Sequence, residues 1–175
     1  MKSFERHRVC SSLVKRSAKR CNWRETNVIG FSIGIRPARA SDLPIAKRWL
    51  SAEGLPVDDL TADHMDAFIV ATQAGQPVGM IGFEKFSGVG LLRSLIVDTA
   101  CRSVGLGARL LAELELTARN EHIDELWLLT IDADPFFARY GYVVAERDAA
   151  PEAIRNTAEF STLCPADAVL MCKRL

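Results

Sequence analysis

The stretch from residue 91 to residue 111 reads LLRSLIVDTACRSVGLGARLL. Its apolar first half predicts a strand, and the segment from Arg102 to Gly107 opens a helix. Glycines at such a junction let the backbone approach a ligand closely, and the first amides of a helix have no partner within it. Unpaired amides of this kind bind phosphate oxygens. The stretch therefore predicts a cradle for a pyrophosphate group.

The residues after the glycines continue this helix. Leu106, Leu110, Leu114 and Ala118 recur at helical spacing and form one apolar stripe, which predicts a helix packed on a sheet. The run ELWLLTI that follows is almost wholly apolar. Such a run predicts a strand that is buried on both of its faces, in the centre of a sheet.

The rest of the chain predicts alternating strands and helices. Upstream, GIRPA predicts a first strand, and the segment from Ser41 to Gly54 predicts a helix capped by Ser41 and ended by Gly54. Between the helix and residue 98, turn residues separate three strands of an antiparallel meander. Downstream we expect a short helix at PFFARY, a strand at YVVAE, a helical turn at PEAIRNT and a last strand at AVLMCKRL.

The composition is that of one soluble globular domain. Of 175 residues, 49% are hydrophobic and 25% are charged, which excludes a disordered chain. No apolar run is long enough for a transmembrane helix or a secretory signal, so we expect a cytoplasmic protein without a membrane partner. The five cysteines form no CxxC pair and the three histidines are scattered. We therefore expect free thiols and no metal site.

The amino-terminal residues differ from the rest in charge. The first 25 residues hold eight lysines and arginines against two glutamates, although the whole chain has a formal net charge of zero. We expect residues 1–30 to be a basic, flexible extension and residues 31–175 to form the domain. A basic arm can bind nucleic acid, but no aromatic residues alternate with these charges as a stacking platform. No nucleic-acid partner is expected.

Two motifs in order resemble those of the GNAT-type N-acetyltransferases. Arg102, Gly105 and Gly107 match the acetyl-CoA loop of that family, and residues 136–142, FFARYGY, are similar to its Phe-Tyr-x-x-x-Gly-Phe box. The resemblance implies an α/β fold with a mixed, mostly antiparallel central sheet of about six to seven strands flanked by helices. Within the family, the chain resembles the branch associated with bacterial arsenic-resistance gene clusters.

The resemblance also implies an activity, the transfer of the acetyl group of acetyl-CoA to a small amine. An amino-acid-like toxic compound is one candidate acceptor, and the enzyme would be a monomer or a homodimer. The backbone of Leu95, Ile96 and Val97 would pair with the pantetheine arm as an added strand does. The pyrophosphate would lie on the amides of Arg102, Ser103, Val104, Gly105, Leu106, Gly107 and Ala108. A non-catalytic acyl-CoA sensor or interaction module is the alternative.

The usual proton donor for the departing thiolate is missing from the second motif. Many members of the family have Tyr where this chain has Phe137, which carries no hydroxyl. Tyr140 follows three residues later, near the same helix face, and is our candidate donor. Alternatively no acid is needed, because a thiol with a pKa of about 8.5 leaves as a thiolate.

For the base, Glu84 is the best-placed carboxylate of the predicted hairpin. A two-residue turn at Ser87 and Gly88 would put Glu84 opposite Leu91 and diagonal to Arg93 on the same sheet face. An arginine within LLRSLIV is costly to bury without a partner, so Arg93 either pairs with Glu84 or binds an anionic group of the substrate. Ordered water is another route for the proton.

Cys164 precedes the last strand, where a thiol near the acceptor could react. A free cysteine is more often a small, inert hydrophobic residue, and packing is the expected role of Cys164. The spacing of Cys101, Cys164 and Cys172 does not require them to lie together as a metal-binding or arsenite-binding trio.

Overall fold

The computed structural model describes residues 32–175. These residues form one seven-stranded sheet in the order β1-β2-β3-β4-β5-β7-β6, in which only the β4–β5 pair is parallel. The strands are β1 (Gly34–Pro37), β2 (Phe68–Gln73), β3 (Gln76–Lys85), β4 (Val89–Val97), β5 (Glu125–Thr130), β6 (Val143–Val144) and β7 (Val169–Arg174). The predicted mixed, mostly antiparallel sheet is confirmed, and so is the meander from β2 to β4.

Within residues 32–175, four helices connect the strands. They are α1 (Leu43–Ala52), α2 (Leu106–Asn120), α3 (Asp134–Ala138) and α4 (Glu152–Arg155). One turn of π-helix, Glu159–Leu163, follows α4, and short 3₁₀ turns lie at Ala40–Asp42, Asp63–Ala67, Thr99–Cys101 and Arg147–Ala149.

Helix α2 covers one face of the sheet, which we call the α2 face. Its predicted stripe is confirmed, since Leu106, Leu110, Leu114 and Ala118 are all buried. On the other face, which we call the α1 face, α1 packs near one end and α4 near the other. Strand β5 contributes to both faces: Leu126 and Leu128 pack under α2, and Trp127 packs with Ile154 of α4. The expectation that β5 is buried on both faces is therefore confirmed.

The start of α1 differs from the prediction. Ser41 is not its cap, because Ser41 lies in a 3₁₀ turn and the helix begins at Leu43 after Asp42. The Asp42 carboxylate accepts a hydrogen bond from the Arg39 amide (2.8 Å) and two from the Arg36 guanidinium (2.7 and 2.9 Å). The hydrogen bonds from Arg36 hold the pKa of Asp42 below its usual range. A carboxylate that joins β1 to α1 thus takes the place expected for the serine.

The predicted strand at YVVAE is also shorter than expected. The strand itself covers only Val143 and Val144, at the edge of the sheet beside β7, and the Ala145 amide donates one further hydrogen bond to the Leu170 carbonyl of β7 (2.9 Å). The π-helical turn at Glu159–Leu163 has no counterpart in the prediction.

The cysteines agree only in part with the expectation of free thiols. Cys164 and Cys172 are free, but Cys101 is disulfide-bonded, so the expectation is wrong for Cys101. Cys10 and Cys21 belong to residues 1–31, outside the described part of the chain, as does the predicted basic extension. Within residues 32–175, no helix is both long and apolar enough to span a membrane.

Candidate active site

The parallel strands β4 and β5 separate after a short paired segment. They pair only from Val89 to Leu91 of β4, against Glu125 to Trp127 of β5. Strand β4 then has a β-bulge. Ser94 has a positive φ of 60°, and the register with β3 shifts between Met80 and Gly82. A bulge of this kind bends its strand away from regular pairing. We call the resulting gap between β4 and β5 the fork.

Leu95, Ile96 and Val97 form the β4 side of the fork, beyond the bulge. On its other edge this segment pairs with β3, where Ile96 lies opposite Met80 and Val97 opposite Gly79. No ladder pairs these three residues with β5 in the described chain. Their edge toward β5 is therefore open to an extended ligand, which a strand edge can bind through main-chain hydrogen bonds.

The glycine loop joins the open end of β4 to α2. Ser103 and Gly105 both have positive φ, 65° and 81°, and Gly105 is the residue before the first turn of α2. Gly105 caps α2 without a side-chain hydrogen bond, and the Arg109 amide donates to the Gly105 carbonyl (3.1 Å) as the helix begins. The preceding amides, those of Leu106, Gly107 and Ala108, have no acceptor within a helix of this geometry. They are donors for an anion at the positive end of α2.

The side chain of Arg102 holds the loop against the strands. Its Nε donates to the Val97 carbonyl (2.9 Å), and its Nη2 donates to Glu53 (2.6 Å). The Arg102–Glu53 pair is exposed to solvent on both sides. Arg102 thus ties the loop to the end of β4 and to the residue that follows α1.

The two sequence motifs meet at the start of α2. A Cβ atom added to Gly107 would lie 3.6 Å from Cζ of Phe136 on α3, an ordinary van der Waals distance. An added Cβ at Gly105 would have no neighbour within 4 Å. The described side chains therefore leave space for a Cβ atom at both positions. At Gly105, however, the positive φ favours glycine.

The aromatic residues of the second motif separate into two environments. Phe137 is buried, packing against Tyr142 with ring centroids 5.5 Å apart. Tyr140 is 37% exposed and lies against Phe136, with ring centroids 5.0 Å apart. Tyr140 lies two residues beyond Ala138, the last residue of α3. Tyr140 presents its ring beside the residue that faces the glycine loop.

Arg93 lies on the α1 face of β4, next to the bulge, and is surrounded by carboxylates. Its Nη1 donates to Asp59 (2.5 Å) and to Glu84 (2.5 Å), its Nη2 donates to Asp59 (3.0 Å), and its Nε lies 3.1 Å from Oε2 of Glu159. We call these four residues the Arg93 cluster. The predicted Arg93–Glu84 pair is confirmed, with Glu84 opposite Leu91 as expected. The side chain of Arg93 is only 2% exposed.

Two members of the Arg93 cluster, Asp59 and Glu159, were not predicted from the sequence. The buried Arg93 indicated that a counter-charge was needed, but Asp59 lies in an irregular segment and Glu159 in an unpredicted π-helical turn. Burial raises the pKa of Glu159 to about 7, with Arg93 opposing the shift and Glu84 and Asp59 adding to it. Burial also acts against Asp59, but its hydrogen bonds from Arg93 hold the pKa of Asp59 below the usual value.

Cys164 lies beside this cluster. Its Sγ lies 4.0 Å from Oε1 of Glu159, and burial followed by the charge of Glu159 raises the pKa of the thiol to about 11. The thiol is therefore protonated at neutral pH and is a poor nucleophile. This state agrees with a packing role for Cys164. In residues 32–175, no group of three or more His, Cys, Asp and Glu side chains is arranged to hold a metal ion.

A cavity of about 390 Å³ is lined by Glu84 of the Arg93 cluster and by residues at the far end of α2. It is lined by Asp63, Asp66, Glu84, Thr117 and Glu121, among others. Thr117 and Glu121 lie at the carboxyl end of α2, whereas the glycine loop lies at its amino end. This cavity is therefore separate from the anion site predicted at the glycine loop.

Comparison with known proteins agrees with this architecture. A model of the acetyltransferase (GNAT) domain matches residues 64–144. An uncharacterized N-acetyltransferase of Chlorobaculum tepidum is 30% identical over 118 residues, which are 65% of this chain and 74% of the relative.

Two solved structures show the same fold at 24% identity. N-acetylglutamate synthase from Neisseria gonorrhoeae, complexed with coenzyme A and N-acetyl-glutamate, matches 82% of this chain with a TM-score of 0.72. This chain spans about a third of the length of that synthase, 35%. A Mycobacterium tuberculosis protein in complex with CoA matches 81% of this chain and 99% of its own, with a TM-score of 0.69.

The matched segment contains the fork, the glycine loop and residues 136–142, and the last two are the features that suggested the family from the sequence. The family model and the relative agree with one another, and the fold agrees with both. The predicted fold and the predicted enzyme class are therefore confirmed. The chain belongs to the GNAT family of acetyltransferases.

Proposed function

We propose that this acetyltransferase takes its acetyl group from acetyl-CoA and transfers it to the amine of a small molecule. One observation carries the proposal: the uncapped amino end of α2, with Gly105 and Gly107, adjoins the open edge of β4. The α2 amides can bind a pyrophosphate, and the open edge of β4 can pair with an extended arm that contains amide groups. Acetyl-CoA has both parts in this order. Coenzyme A in the two solved relatives supports this choice of donor.

In the proposed complex, the amides from Arg102 to Ala108 bind the pyrophosphate. The backbone of Leu95, Ile96 and Val97 pairs with the pantetheine arm, so that the thioester lies near the bulge at Ser94. A main-chain amide near Ile96 or Val97 then donates to the thioester oxygen as negative charge develops on it, which lowers the barrier to attack by the amine. These contacts use main-chain groups, so several of the positions tolerate different side chains.

The carboxylates of the Arg93 cluster lie on the α1 face beside the bulge, where they would bind the amine of the substrate. Glu84 remains a candidate base, and Tyr140, exposed beside Phe136, a candidate donor of the proton to the thiolate. A direct contact between Arg93 and an anionic substrate group also remains a proposal. In the described structure the guanidinium is already held by Asp59, Glu84 and Glu159.

The resemblance to the branch found in arsenic-resistance gene clusters suggests an amino-acid-like toxic compound as the acceptor. A small molecule is also favoured by N-acetylglutamate synthase, whose solved complex holds N-acetyl-glutamate. We further propose that the protein acts in the cytoplasm, as a monomer or a homodimer, without a metal ion or a nucleic acid.

The test is an acceptor screen. The full chain is incubated with acetyl-CoA and a panel of amines, and thiol release is followed together with the mass of the product. The panel holds amino acids, their arsenic-containing and phosphorus-containing analogues, polyamines and a peptide amino terminus. We expect acetylation of a small amine at the amine nitrogen. Acetylation of the peptide alone would overturn the small-molecule assignment, and thiol release without an acetylated amine would overturn amine transfer.

A further inference from the structure

The Arg93 cluster contains one more carboxylate than its contacts satisfy. Asp59 and Glu84 both accept hydrogen bonds from the guanidinium, at 2.5 to 3.0 Å. Glu159 lies 3.1 Å from Nε of Arg93, but the two atoms are not aligned for a hydrogen bond. Arg93 Nε and Glu159 Oε2 are both buried without a hydrogen-bond partner among the described residues. Glu159 is therefore the carboxylate of the cluster that is free to take a proton.

The charges lead to the same residue. One guanidinium faces three carboxylates, so the fully ionised cluster has two negative charges in excess. Excess charge in a buried site is costly and is relieved by a proton or by a cation. The side chains of Asp59 and Glu84 are 19% and 18% exposed, whereas those of Arg93 and Glu159 are 2% and 9% exposed. Asp59 and Glu84 are thus the more exposed carboxylates of the cluster, and Glu159 is the most buried.

The negatively charged Arg93 cluster lies beside the fork. Arg93 follows Leu91, the last β4 residue that pairs with β5, and precedes the bulge at Ser94. A pantetheine arm that runs along β4 from the amino end of α2 would bring its thioester to this point. The π-helical turn thus places Glu159 where β4 and β5 begin to separate.

We propose that Glu159 accepts the proton of the substrate ammonium at the fork, while Asp59 and Glu84 attract the cation and hold Arg93 in place. This inference rests on the proposed function and deepens it. Glu159 removes one proton from the ammonium, which leaves a neutral amine with a free electron pair. The nitrogen then bonds to the thioester carbonyl carbon and the carbon–sulfur bond breaks. The second nitrogen proton goes to the thiolate, and Glu159 releases its proton to water.

The neighbours of Glu159 agree with this role. The charged groups that face it are Arg93 from β4, Glu84 from β3 and Asp59 from the segment before β2, and Cys164 faces it from its own segment. A pKa of about 7 leaves much of Glu159 ionised at neutral pH and able to accept a proton. The Cys164 thiol stays protonated over the same range, so it does not compete for that proton.

The test compares Glu159→Gln with two matched variants, Glu84→Gln in the same cluster and Glu152→Gln on the exposed surface of α4. With the best amine from the acceptor screen, Glu159→Gln should lower kcat/KM at pH 7 by about 100-fold and remove the acid limb of the pH profile near pH 7. Its acetyl-CoA affinity should be unchanged. Glu84→Gln should raise KM and keep the acid limb, and Glu152→Gln should match the wild type. An acid limb retained by Glu159→Gln, or lost only in Glu84→Gln, would overturn the proposal.

A second measurement needs no acceptor. In protein with ¹³C-labelled glutamate carboxyl groups, an NMR titration should show one carboxyl that titrates near pH 7 and is missing from Glu159→Gln. Titration of Glu159 near its ordinary pKa of 4.5 would overturn the proposal even if the acceptor screen succeeds. If the screen finds no acceptor, the proposed function fails and this titration still decides the state of Glu159.

Discussion

Gly107 of α2 faces Phe136 of α3 so closely that a Cβ atom on the glycine would contact the aromatic ring, at 3.6 Å. The two residues belong to the two motifs that suggested the family, and the fold brings those motifs together at one end of α2. Phe136 in turn contacts Tyr140, with ring centroids 5.0 Å apart. A ligand on the α2 amides would therefore lie near the only tyrosine that the described residues leave substantially exposed.

The first prediction concerns that tyrosine. If the Tyr140 phenol protonates the thiolate, Tyr140→Phe should lower kcat by about 100-fold at pH 7, because it removes the acid and keeps the ring packing. Tyr142→Phe is the matched control. Its hydroxyl is buried without a hydrogen-bond partner, and burial followed by the charge of Glu115 raises its pKa. Steady-state thiol release measures both variants. Equal rates for Tyr140→Phe and the wild type would remove Tyr140 from the mechanism.

The second prediction concerns the stability of the Arg93 cluster. Arg93→Met should lower the free energy of unfolding by about 3 to 5 kcal/mol at pH 7, because it leaves buried carboxylates without a counter-charge. Arg93 holds the pKa of Asp59 low, so this stabilisation is present above the ordinary pKa of Asp59 and is lost as the pH falls through the lowered value. The deficit of the variant should therefore be full at pH 5 and shrink only below about pH 4, as the pH falls through the lowered pKa of Asp59.

Urea unfolding at several pH values measures this deficit. The exposed Arg174, which pairs with Glu125, provides the control Arg174→Met, for which we expect a much smaller loss. A deficit of Arg93→Met that is equally small, or that grows on acidification, would contradict the prediction.

The third prediction follows from the raised pKa of Glu159. A carboxyl whose pKa rises from 4.5 to about 7 on folding binds more protons in the folded state between those values. Its contribution to stability is therefore full below pH 4.5 and falls as the pH rises to 7, by on the order of 3 kcal/mol. Glu159→Gln removes this dependence. The variant should gain stability relative to the wild type as the pH rises from 5 to 8, while its acetyltransferase activity falls.

Unfolding of Glu159→Gln and the wild type at pH 5 and pH 8 tests this. A variant that is less stable than the wild type by the same amount at both pH values would mean that Glu159 is ionised in the folded state throughout. A loss of activity together with a gain of stability is typical of a residue kept for function.

The fourth prediction concerns a second internal ion pair, between Lys173 of β7 and Glu115 of α2. The ammonium lies 2.6 and 2.7 Å from the two carboxylate oxygens, and the side chains are 19% and 10% exposed. Lys173→Met should cost about 3 kcal/mol because it leaves Glu115 buried without its partner. Lys85→Met removes the exposed pair with Glu121 and should have a much smaller effect. Equal losses in the two variants would contradict the burial argument.

The sequence predicts most of the fold because the strands and α2 have clear local patterns. The apolar stripe of α2 and the almost wholly apolar β5 each indicate their burial without reference to the rest of the chain. Ser41 was misassigned because a serine before a helix is a common cap, whereas here Asp42 is recruited by Arg36 of β1. That contact depends on how β1 and α1 pack together, which local sequence does not determine.

The candidate site likewise has one part that local sequence predicts and one part that only the fold brings together. The glycine loop is local in sequence, so Arg102, Gly105 and Gly107 could be identified directly. The Arg93 cluster assembles residues from three distant segments, and only its Arg93–Glu84 part follows from a hairpin register. Glu159 could not be found because its π-helical turn has no local signature, and its altered pKa depends on burial by the whole fold.

We expect the amino end of α2 to bind the pyrophosphate of acetyl-CoA, and the variant Gly107→Glu tests this binding. A carboxylate in the first turn is favourable for the helix but repels a pyrophosphate. The matched Gly107→Ala adds only a Cβ atom at an ordinary distance from Phe136. Isothermal titration calorimetry with acetyl-CoA should show at least about 100-fold weaker binding for Gly107→Glu, some 2.7 kcal/mol, and nearly unchanged binding for Gly107→Ala. Wild-type affinity in a folded Gly107→Glu protein would contradict the account.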